Sequence, residues 1–589
     1  MPVKNPFGCL SARLSPWLSS RFRDANPARP HELGLAYEAF SPEKREPGPA
    51  DARKLRAPQA VNHGHGLVPE TAETSSSTCS HDDQALISWG PDDPQNPHNW
   101  STPRKAFVVV IIVLMVFNSS MSSALPSMAI PSITAELGAS SAAAGVLPIS
   151  MFLVGYIFGP LIWAPLTEHY GRRCLTVLTF AAFSLFTMAC AVAPSWPSFL
   201  AFRVLTGLFA GAPIATSAGI MADLFPDHTT RGRVLAIYMS SILWGPLIAP
   251  VISGFSAISI GWRWTFWIGF IFAAASFCLV AWLPETFAPT LLARRAQRLR
   301  RPAPPSCRLL APGELQERTL AQLLANVITR PVRMLASELI VIATSLYVAL
   351  VYAVFYMSFQ AFPIIFRGLY GLSPAETGLT YLLIGAGGTL SLPVAWSWDM
   401  ALAKAQKRGS WWSGREEFRR LPLACMGGPL FVVSLLWLGF GAKTSVSFVV
   451  PMLAGVPFGL GFMLIFTSML NYLTDAYETF AASANAAASC CRSILAMVLP
   501  LATTPMFRQL RVAGACALIA GLSALMCVIP FLFIWKGPGI RERSSFCIAL
   551  KEQKEKTQQT RQDARRASAE SARARGPGKG TDVVIIEVV

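Results

Sequence analysis

Charged residues are scarce in this chain of 589 residues, of which only 14% are Asp, Glu, Lys or Arg, whereas 52% are hydrophobic. A soluble globular protein of this length needs a much larger charged surface. The few charges also concentrate at the two ends and in short connections, so that long stretches contain none. The composition argues against an ordinary soluble protein and indicates a chain whose solvent is mostly lipid.

Several chemical signatures are missing as well. The 12 cysteines contain no C-x-x-C pair, so we expect neither a metal site nor a disulfide scaffold. The loop G-x-x-x-x-G-K-[ST] does not occur, which argues against an ATP-driven pump. The sequence also lacks the clustered His, Asp or Cys side chains that a membrane enzyme needs. We therefore expect no enzyme activity, no metal and no cofactor.

The two ends of the chain are polar. Residues 1–85 contain no apolar core of the kind that a signal peptide has, so the first membrane span is expected to direct insertion. Residues 1–85 and 541–589 both have a composition typical of disorder. The net charge of +17 does not indicate nucleic-acid binding, because the basic residues lie where membrane topology puts them and no recognition module accompanies them.

Twelve long windows contain no Asp, Glu, Lys or Arg, except that the eleventh contains Arg492. A helix needs about 20 apolar residues to cross the hydrocarbon, because in lipid each backbone N–H and C=O must be satisfied within the helix. The windows, numbered here as spans 1 to 12, run 106–135, 137–167, 174–202, 204–222, 234–262, 264–284, 339–366, 377–398, 421–442, 444–474, 479–507 and 512–535. The sequence therefore predicts an all-α integral membrane protein with twelve transmembrane helices. They form two pseudo-symmetric six-helix bundles, over 86–284 and 339–540, joined by a charged central loop at 285–338.

The distribution of Lys and Arg predicts the orientation. Basic residues concentrate in the connections after spans 2, 4, 6 and 8, whereas the opposite connections contain only Arg263, Arg367, Lys443, Arg508 and Arg511. Under the positive-inside rule, both tails and the central loop are cytoplasmic. We expect a monomer in the lipid bilayer of the cell membrane, with the vacuolar membrane as an alternative.

A charged motif lies between spans 2 and 3, where Glu168 is followed by Arg172 and Arg173. Gly159, earlier in span 2, allows two helices to approach closely. Together with Asp223 at the end of span 4, these charges are expected to form a cytoplasmic gate that breaks when the two bundles move. The alternative is an ordinary basic loop.

Two further motifs concern spans 4 and 5. Arg203 directly precedes the charge-free window of span 4, in a helical segment that is expected to begin at Phe199, and because such a charge is costly in lipid, its side chain should face the bundle interior or extend to the nearby interface. Span 5 contains small residues and prolines that predict a bent, closely packed helix, namely Gly245, Pro246, Pro250 and Gly254. A purely structural kink is the alternative there.

Together these motifs resemble those of the major facilitator superfamily. Further stretches narrow the resemblance to the fungal drug:H+ antiporters with twelve helices: 92–101, 261–267, 284–289 and 471–477. The resemblance implies that two bundles rock around a site near the midplane, that Arg203 takes part in proton coupling, and that span 5 carries an antiporter motif. Ala249 and Ser253 stand where relatives usually have glycine, a departure that weakens the implied export.

No Asp, Glu or His lies deep in any of the predicted spans. All 7 histidines lie in tails or loops, and the nearest carboxylates lie at the predicted cytoplasmic edges: Glu168, Asp223, Glu285, Glu338, Asp399 and Asp475. A proton-coupled exporter needs a titratable group within reach of the membrane interior. Proton antiport is therefore implied by the resemblance and not by the residues themselves.

An aromatic face in span 7 is the candidate wall of a substrate site. Tyr352, Phe355, Tyr356 and Phe359 recur at the spacing of one helix face, and Gln360 follows them. An apolar wall with a few polar groups suits a small-molecule site. Such a stripe also suits core packing, which is the alternative interpretation.

Polar side chains provide further candidates for substrate binding: Gln360, Asn118 in span 1 and Asn471 in span 10. Relatives often have Glu where this chain has Gln360, and a cavity without carboxylates attracts multivalent cations poorly. We therefore expect a neutral or weakly acidic amphipathic substrate, such as a fungal secondary metabolite, toxin or drug. A polyamine exporter and a non-transporting sensor on the same fold are the alternatives.

Overall fold

A computed structural model describes residues 84–86, 89–90, 93–139, 144–300, 308–310, 320–410 and 412–574. Most of the N-terminal tail that is predicted to be disordered lies outside these residues. The helices run Pro97–Asn99, Thr102–Ala124, Ile130–Glu136, Leu147–Tyr170, Arg172–Ala191, Trp196–Leu224, His228–Ser259, Trp262–Val280, Ala288–Arg300, Leu320–Ser337, Leu339–Phe362, Pro363–Arg367, Pro374–Thr380, Leu382–Lys407, Glu417–Gly441, Val449–Leu453, Gly455–Tyr477, Glu478–Phe480, Ala481–Met526, Val528–Arg543 and Ser545–Ala574.

In the described part of the chain, 11 helical segments are long and apolar enough to cross a membrane. One of them, Ala481–Arg543, contains 63 residues and would measure about 95 Å if it were straight, about three times the hydrocarbon thickness. Its backbone leaves the helical conformation at Arg511 (φ 56°, ψ 179°). The segment is therefore two crossings, spans 11 and 12, and the total becomes twelve.

Close helix contacts recur in the two bundles. Span 2 packs on span 4, where a Cβ on Gly159 would lie 2.9 Å from the Cα of Gly211. Span 8 packs on span 10 in the same way, because Gly459 leaves no room for a Cβ against the carbonyl of Ile384. Small residues allow the close van der Waals packing that holds helices together in lipid. Spans 2 and 4 correspond to spans 8 and 10, as pseudo-symmetry requires.

The two bundles meet where span 2 packs on span 11 and span 5 packs on span 8. We call the end of the molecule with the connections after spans 2, 4, 6 and 8 the basic end. Toward the opposite end, the Ser150 hydroxyl donates to the carbonyl of Met497 (3.0 Å). Nearby, a Cβ on Gly254 would lie 2.5 Å from the carbonyl oxygen of Pro374. The bundles are thus in close contact in this half of the interface.

Segments outside the spans also contain regular structure. Within the central loop, Ala288–Arg300 follows span 6 and Leu320–Ser337 precedes span 7. Two short strands, Gln84–Leu86 and Arg308–Leu310, pair in parallel as a small separate unit. The predicted central loop is therefore a connection with helices of its own.

The C-terminal tail differs from the sequence prediction. Residues 541–543 end span 12 and Ser545–Ala574 form a helix, although the composition predicts disorder. Phe546 packs edge to face on Phe480, with ring centres 5.3 Å apart. Low hydrophobicity argues against a separate core but not against a helix, and the Ala, Glu, Gln, Lys and Arg of this segment are strong helix formers. Residues 575–589 lie outside the described part.

Candidate functional site

A small cavity lies in the middle of the molecule between the two bundles. Spans 1, 2 and 5 line one side and spans 7 and 10 the other, with Ser120, Tyr156, Met239, Ile242, Leu243, Pro246, Tyr352, Phe355, Tyr356, Phe462, Met463 and Phe466. The volume of about 20 Å³ leaves room for little more than one water molecule. A larger molecule fits only when the bundles separate or the aromatic side chains turn away.

The wall formed by spans 7 and 10 is aromatic. Phe355 stacks on Phe462 with ring centres 4.9 Å apart, and Tyr352 stacks on Phe466 at 6.0 Å. Tyr356 lies beside Tyr352, at 5.0 Å between ring centres. The two tyrosines predicted as substrate contacts therefore both line the cavity. Their rings offer apolar area and their hydroxyls offer hydrogen bonds, a combination that suits an amphipathic molecule.

Arg203 is completely buried in span 4, with 0% of its surface exposed. Its Nε donates to the carbonyl of Pro148 (2.8 Å), and its terminal nitrogens donate to the carbonyls of Ser122 and Ser123 (both 2.9 Å). The guanidinium also lies 4.8 Å from the ring centre of Phe152. The side chain thus faces the bundle interior, where backbone acceptors of spans 1 and 2 compensate its charge.

A second arginine, Arg492, lies deep in span 11, and sequence reasoning treats it only as an interruption. It is 9% exposed, and its guanidinium lies 5.2 Å from the ring centres of Tyr352 and Phe466, which both line the cavity. One terminal nitrogen donates to the hydroxyl of Ser489 (3.1 Å), while Nε has no hydrogen-bond partner among the described residues. A charge inside a span is itself a signal of a functional site.

Hydroxyl groups connect the two arginines. The Ser123 carbonyl accepts a hydrogen bond from Arg203, and the Ser123 hydroxyl accepts one from the hydroxyl of Tyr356 (3.0 Å). The hydroxyls of Tyr356 and Tyr352 are 3.5 Å apart, and the ring of Tyr352 faces Arg492. A continuous series of contacts therefore crosses from span 4 of one bundle to span 11 of the other.

At the basic end of the N-terminal bundle, Arg172 joins three helix ends. Its Nε pairs with Asp223 at the end of span 4 (3.0 Å). The backbone N–H groups of Arg172 and Arg173 donate to the carboxylate of Glu285, which follows span 6, at 2.9 and 3.2 Å. A carboxylate at a helix N-terminus is electrostatically favourable. The structure thus gathers three predicted gate residues together with Glu285, which sequence reasoning did not select, whereas Glu168 lies exposed on the surface.

The C-terminal bundle has a corresponding set of ion pairs. Arg420 near the start of span 9 pairs with Asp475 at the end of span 10 (3.3 Å). Arg541 at the end of span 12 pairs with Glu416 and Glu417 at the start of span 9. Spans 9, 10 and 12 are therefore joined as spans 3, 4 and 6 are, but here the last of the three helices contributes the base instead of the acid.

Span 5 packs against both bundles through its predicted motif. Gly245 leaves no room for a Cβ against span 1, and Gly254 is equally close to the start of span 8. The carbonyl oxygen of Pro250 would lie 2.6 Å from a Cβ on Gly378, and Pro246 lines the cavity. The motif is thus a close-packed contact both within its own bundle and between the bundles.

The remaining candidates lie away from the cavity. The side-chain amide of Asn118 donates to the hydroxyl of Ser276 in span 6 (2.8 Å), inside the N-terminal bundle. Asn471 is exposed near the basic end of span 10. The side-chain amide of Gln360 donates to the carbonyl of Gly145 (2.7 Å), which joins the bundles toward the opposite end. The structure therefore brings neither asparagine to the cavity and gives Gln360 a contact between bundles.

Asp93, in the stretch before span 1, is a carboxylate outside the spans whose pKa its neighbours shift. Burial acts to raise the pKa of Asp93, but the backbone N–H of Gln95 and the guanidinium of Arg295 outweigh it and hold the pKa below its usual value. Arg295 belongs to the helix that follows span 6. The ionised carboxylate thus ties the start of the first bundle to the segment that follows its end.

Comparison with known proteins identifies the family. The family model described as Major Facilitator Superfamily matches residues 112–500. The chain belongs to this superfamily. It is 35% identical over 474 residues to the MFS-type efflux pump MFS2 of Trichophyton rubrum, covering 79% of this chain and 78% of that protein. It is also 35% identical over 464 residues to the efflux pump FUBT of Fusarium oxysporum, covering 78% and 77%.

Solved structures of the superfamily share the fold. The proton:xylose symporter XylE bound to 6-bromo-6-deoxy-D-glucose is 18% identical, with a TM-score of 0.55 over 74% of this chain and 96% of that one. At this identity the likeness concerns the fold alone. The predicted fold class, an all-α integral membrane protein with two six-helix bundles, is confirmed. The chain is a multi-pass membrane transporter of the major facilitator superfamily, a family that carries small molecules.

Proposed function

We propose that this transporter exports small amphipathic molecules, such as a fungal secondary metabolite, a toxin or a drug. The observation that carries the proposal is the cavity between the bundles, whose lining is aromatic and aliphatic and includes three tyrosines. Such a surface suits a mostly apolar molecule with a few polar groups. The names of two fungal relatives, both efflux pumps, support export as the direction of transport.

The proposed orientation has the basic end and both termini in the cytoplasm, because Lys and Arg concentrate in those connections. The membrane is then the cell membrane, with the vacuolar membrane as the alternative. The Arg172–Asp223 pair lies at the cytoplasmic side in this orientation, and we assign the gate to it and its neighbours. Alternating access would open this side while the close contact of span 5 with span 8 holds the other side closed.

Proton entry is the proposed driving force, and Arg203 is the proposed coupling residue. An arginine does not release its proton in a protein. Arg203 would therefore respond to proton binding at another group instead of carrying the proton itself. The hydroxyl path to Tyr352 offers the physical connection to the cavity.

A polyamine exporter and a sensor are the two alternatives to export of amphipathic molecules. A polyamine carries several positive charges, and the buried guanidinium of Arg492 beside the cavity would repel it. A sensor on the same fold would keep the cavity but move no cargo. Relatives that are efflux pumps favour transport over sensing.

The test is export from proteoliposomes with and without an imposed pH gradient, using hydrophobic drugs, aromatic polyketides and spermidine. We expect gradient-dependent movement of the apolar compounds by the wild type and its loss in Arg203→Ala. Movement that ignores the gradient would overturn proton antiport. Movement of spermidine alone would favour the polyamine exporter, and movement of no compound would favour the sensor.

A further inference from the structure

Arg492 lies next to the cavity between the bundles, against two of the rings that line it, although it does not itself belong to the lining. We propose that Arg492 binds the carboxylate of an amphipathic organic anion, whose apolar part rests on the aromatic wall of spans 7 and 10. The inference rests on the proposed export function and specifies its substrate class. It follows from the depth, the hydrogen bonding and the charge environment of this one side chain.

Arg492 lies close to the middle of the membrane. Span 11 begins at Ala481, so Arg492 is roughly 17 Å along the helix, or about half of the hydrocarbon thickness. A cation at this depth is costly, and in membrane proteins such a residue faces a cavity or a partner that compensates it. The guanidinium lies against Tyr352 and Phe466, and both of these rings line the cavity. The charge is therefore positioned to meet a molecule that enters there.

The hydrogen-bonding capacity of Arg492 is largely unused. A guanidinium has five N–H donors in a rigid fork. The hydroxyl of Ser489 accepts from one terminal nitrogen, and Nε is buried without a partner among the described residues. Arg203, by contrast, donates to three backbone carbonyls. A carboxylate can accept two parallel hydrogen bonds from the fork of Arg492, which is the geometry that this side chain favours.

The charge balance indicates a monoanion. None of the described side chains that line the cavity is charged, so a single guanidinium meets the substrate. One carboxylate neutralises it, whereas a second would remain buried and unpaired. The stacked rings of Phe355 and Phe462 offer the apolar surface for the remainder of the molecule. The ligand class is thus an aromatic or aliphatic monocarboxylate.

The test compares binding of two molecules with one skeleton, para-butylbenzoate and its neutral amide para-butylbenzamide. The full-length protein in detergent is titrated by calorimetry near neutral pH, where the acid is ionised. We expect the wild type to bind the acid at least about tenfold more tightly than the amide, because a hydrogen bond to a charged group is stronger than one to a neutral group. Arg492→Gln should remove this preference, because it weakens binding of the acid about tenfold more than binding of the amide.

A control variant lies in the same helix. Arg508→Gln removes an exposed arginine near the opposite end of span 11 and should leave both affinities unchanged. If Arg492→Gln does not fold, Arg492→Lys keeps the charge but not the fork and should retain only part of the preference for the acid. The acid-to-amide ratio of the wild type is decisive in either case.

Several outcomes would overturn the anion site. These are equal wild-type affinities for acid and amide, equal loss of both in Arg492→Gln, or no binding of either compound. Since binding is measured without a gradient, its result is separate from that of the transport assay. Acid-selective binding without any transport would contradict export while supporting the anion site, and transport without preference for the acid would contradict the anion site alone.

Discussion

Each bundle has an arginine deep inside its spans, and the two have different surroundings. Arg203 of the N-terminal bundle donates to carbonyls of Pro148, Ser122 and Ser123, all within its own bundle. Arg492 of the C-terminal bundle donates to one hydroxyl and lies against rings that line the cavity. A buried charge that the backbone satisfies also stabilises the scaffold around it, whereas one with unused donors is available to a ligand. Burial alone does not distinguish these roles.

Replacing each arginine by alanine tests this difference most directly. Arg203→Ala leaves three buried carbonyls without their donors, at about 1–3 kcal/mol for each unsatisfied group. We expect a loss of at least about 3 kcal/mol in stability together with loss of transport. Arg492→Ala removes a charge that is poorly compensated and should change stability by only about 1 kcal/mol. Thermal unfolding of the purified variants measures both, and equal destabilisation would remove the distinction.

The contact between the bundles can be disturbed without touching either arginine. Gly254→Leu places a side chain where the carbonyl of Pro374 already lies 2.5 Å from a Cβ. Overpacking of this kind costs about 1–3 kcal/mol, and here it falls on an interface that moves during transport. We expect strongly reduced transport with normal membrane insertion. Unchanged transport rates would remove the packing role.

A matched control for this substitution exists in span 12. Gly521 is exposed, and a Cβ added to it would meet no neighbouring atom within 4 Å, so Gly521→Leu should alter neither insertion nor transport. If both leucine variants lose transport equally, the effect belongs to added bulk in a membrane helix and not to the contact between span 5 and span 8.

The basic ends of the two bundles also differ in how far their ion pairs are buried. Asp223, with 19% of its side chain exposed, pairs with a nearly buried Arg172, whereas Asp475 is 35% exposed beside Arg420. Removing a partner from a buried pair is costly, while an exposed pair contributes about 0–1 kcal/mol. We expect Asp223→Asn to destabilise the protein by about 1–3 kcal/mol and Asp475→Asn by less than about 1 kcal/mol. The unfolding temperatures of the two variants, measured in low and high salt, compare the two losses of stability. A larger loss for Asp475→Asn than for Asp223→Asn would contradict this assignment.

Much of the fold could be predicted from the sequence, because a membrane span is defined by what it lacks. Charge-free windows located the twelve crossings, and the reversal at Arg511 matches the predicted connection between spans 11 and 12. The burial of Arg203 follows from the cost of a charge in lipid. Local composition also misled at one place, since the helix Ser545–Ala574 occupies a segment whose composition is typical of disorder.

The candidate site was less predictable, because its members come from distant parts of the chain. Glu285 meets Arg172 across 113 positions, and no local pattern specifies that two helix ends will meet. Arg492 was visible as a charge, but only the packing of span 11 against spans 7 and 10 brings it to Tyr352 and Phe466. Asn118 has the right residue type, yet the rotation of span 1 turns it toward Ser276.

The smallest expected effect tests whether the two arginines communicate. Tyr356→Phe removes the hydroxyl that donates to Ser123 and should lower stability by about 0.5–1.5 kcal/mol. Tyr381→Phe removes an equally buried hydroxyl, which donates to the carbonyl of Ser358 within one bundle, and should have a similar effect on stability. Each tyrosine variant is then combined with Arg203→Lys in a double-mutant cycle, and the ratio of protons to substrate moved is measured. The effect of Tyr356→Phe on this ratio should be non-additive with that of Arg203→Lys, whereas the effect of Tyr381→Phe should be additive. Additivity for both tyrosines would mean that the hydroxyl path is only packing, and that Arg203 and Arg492 act independently.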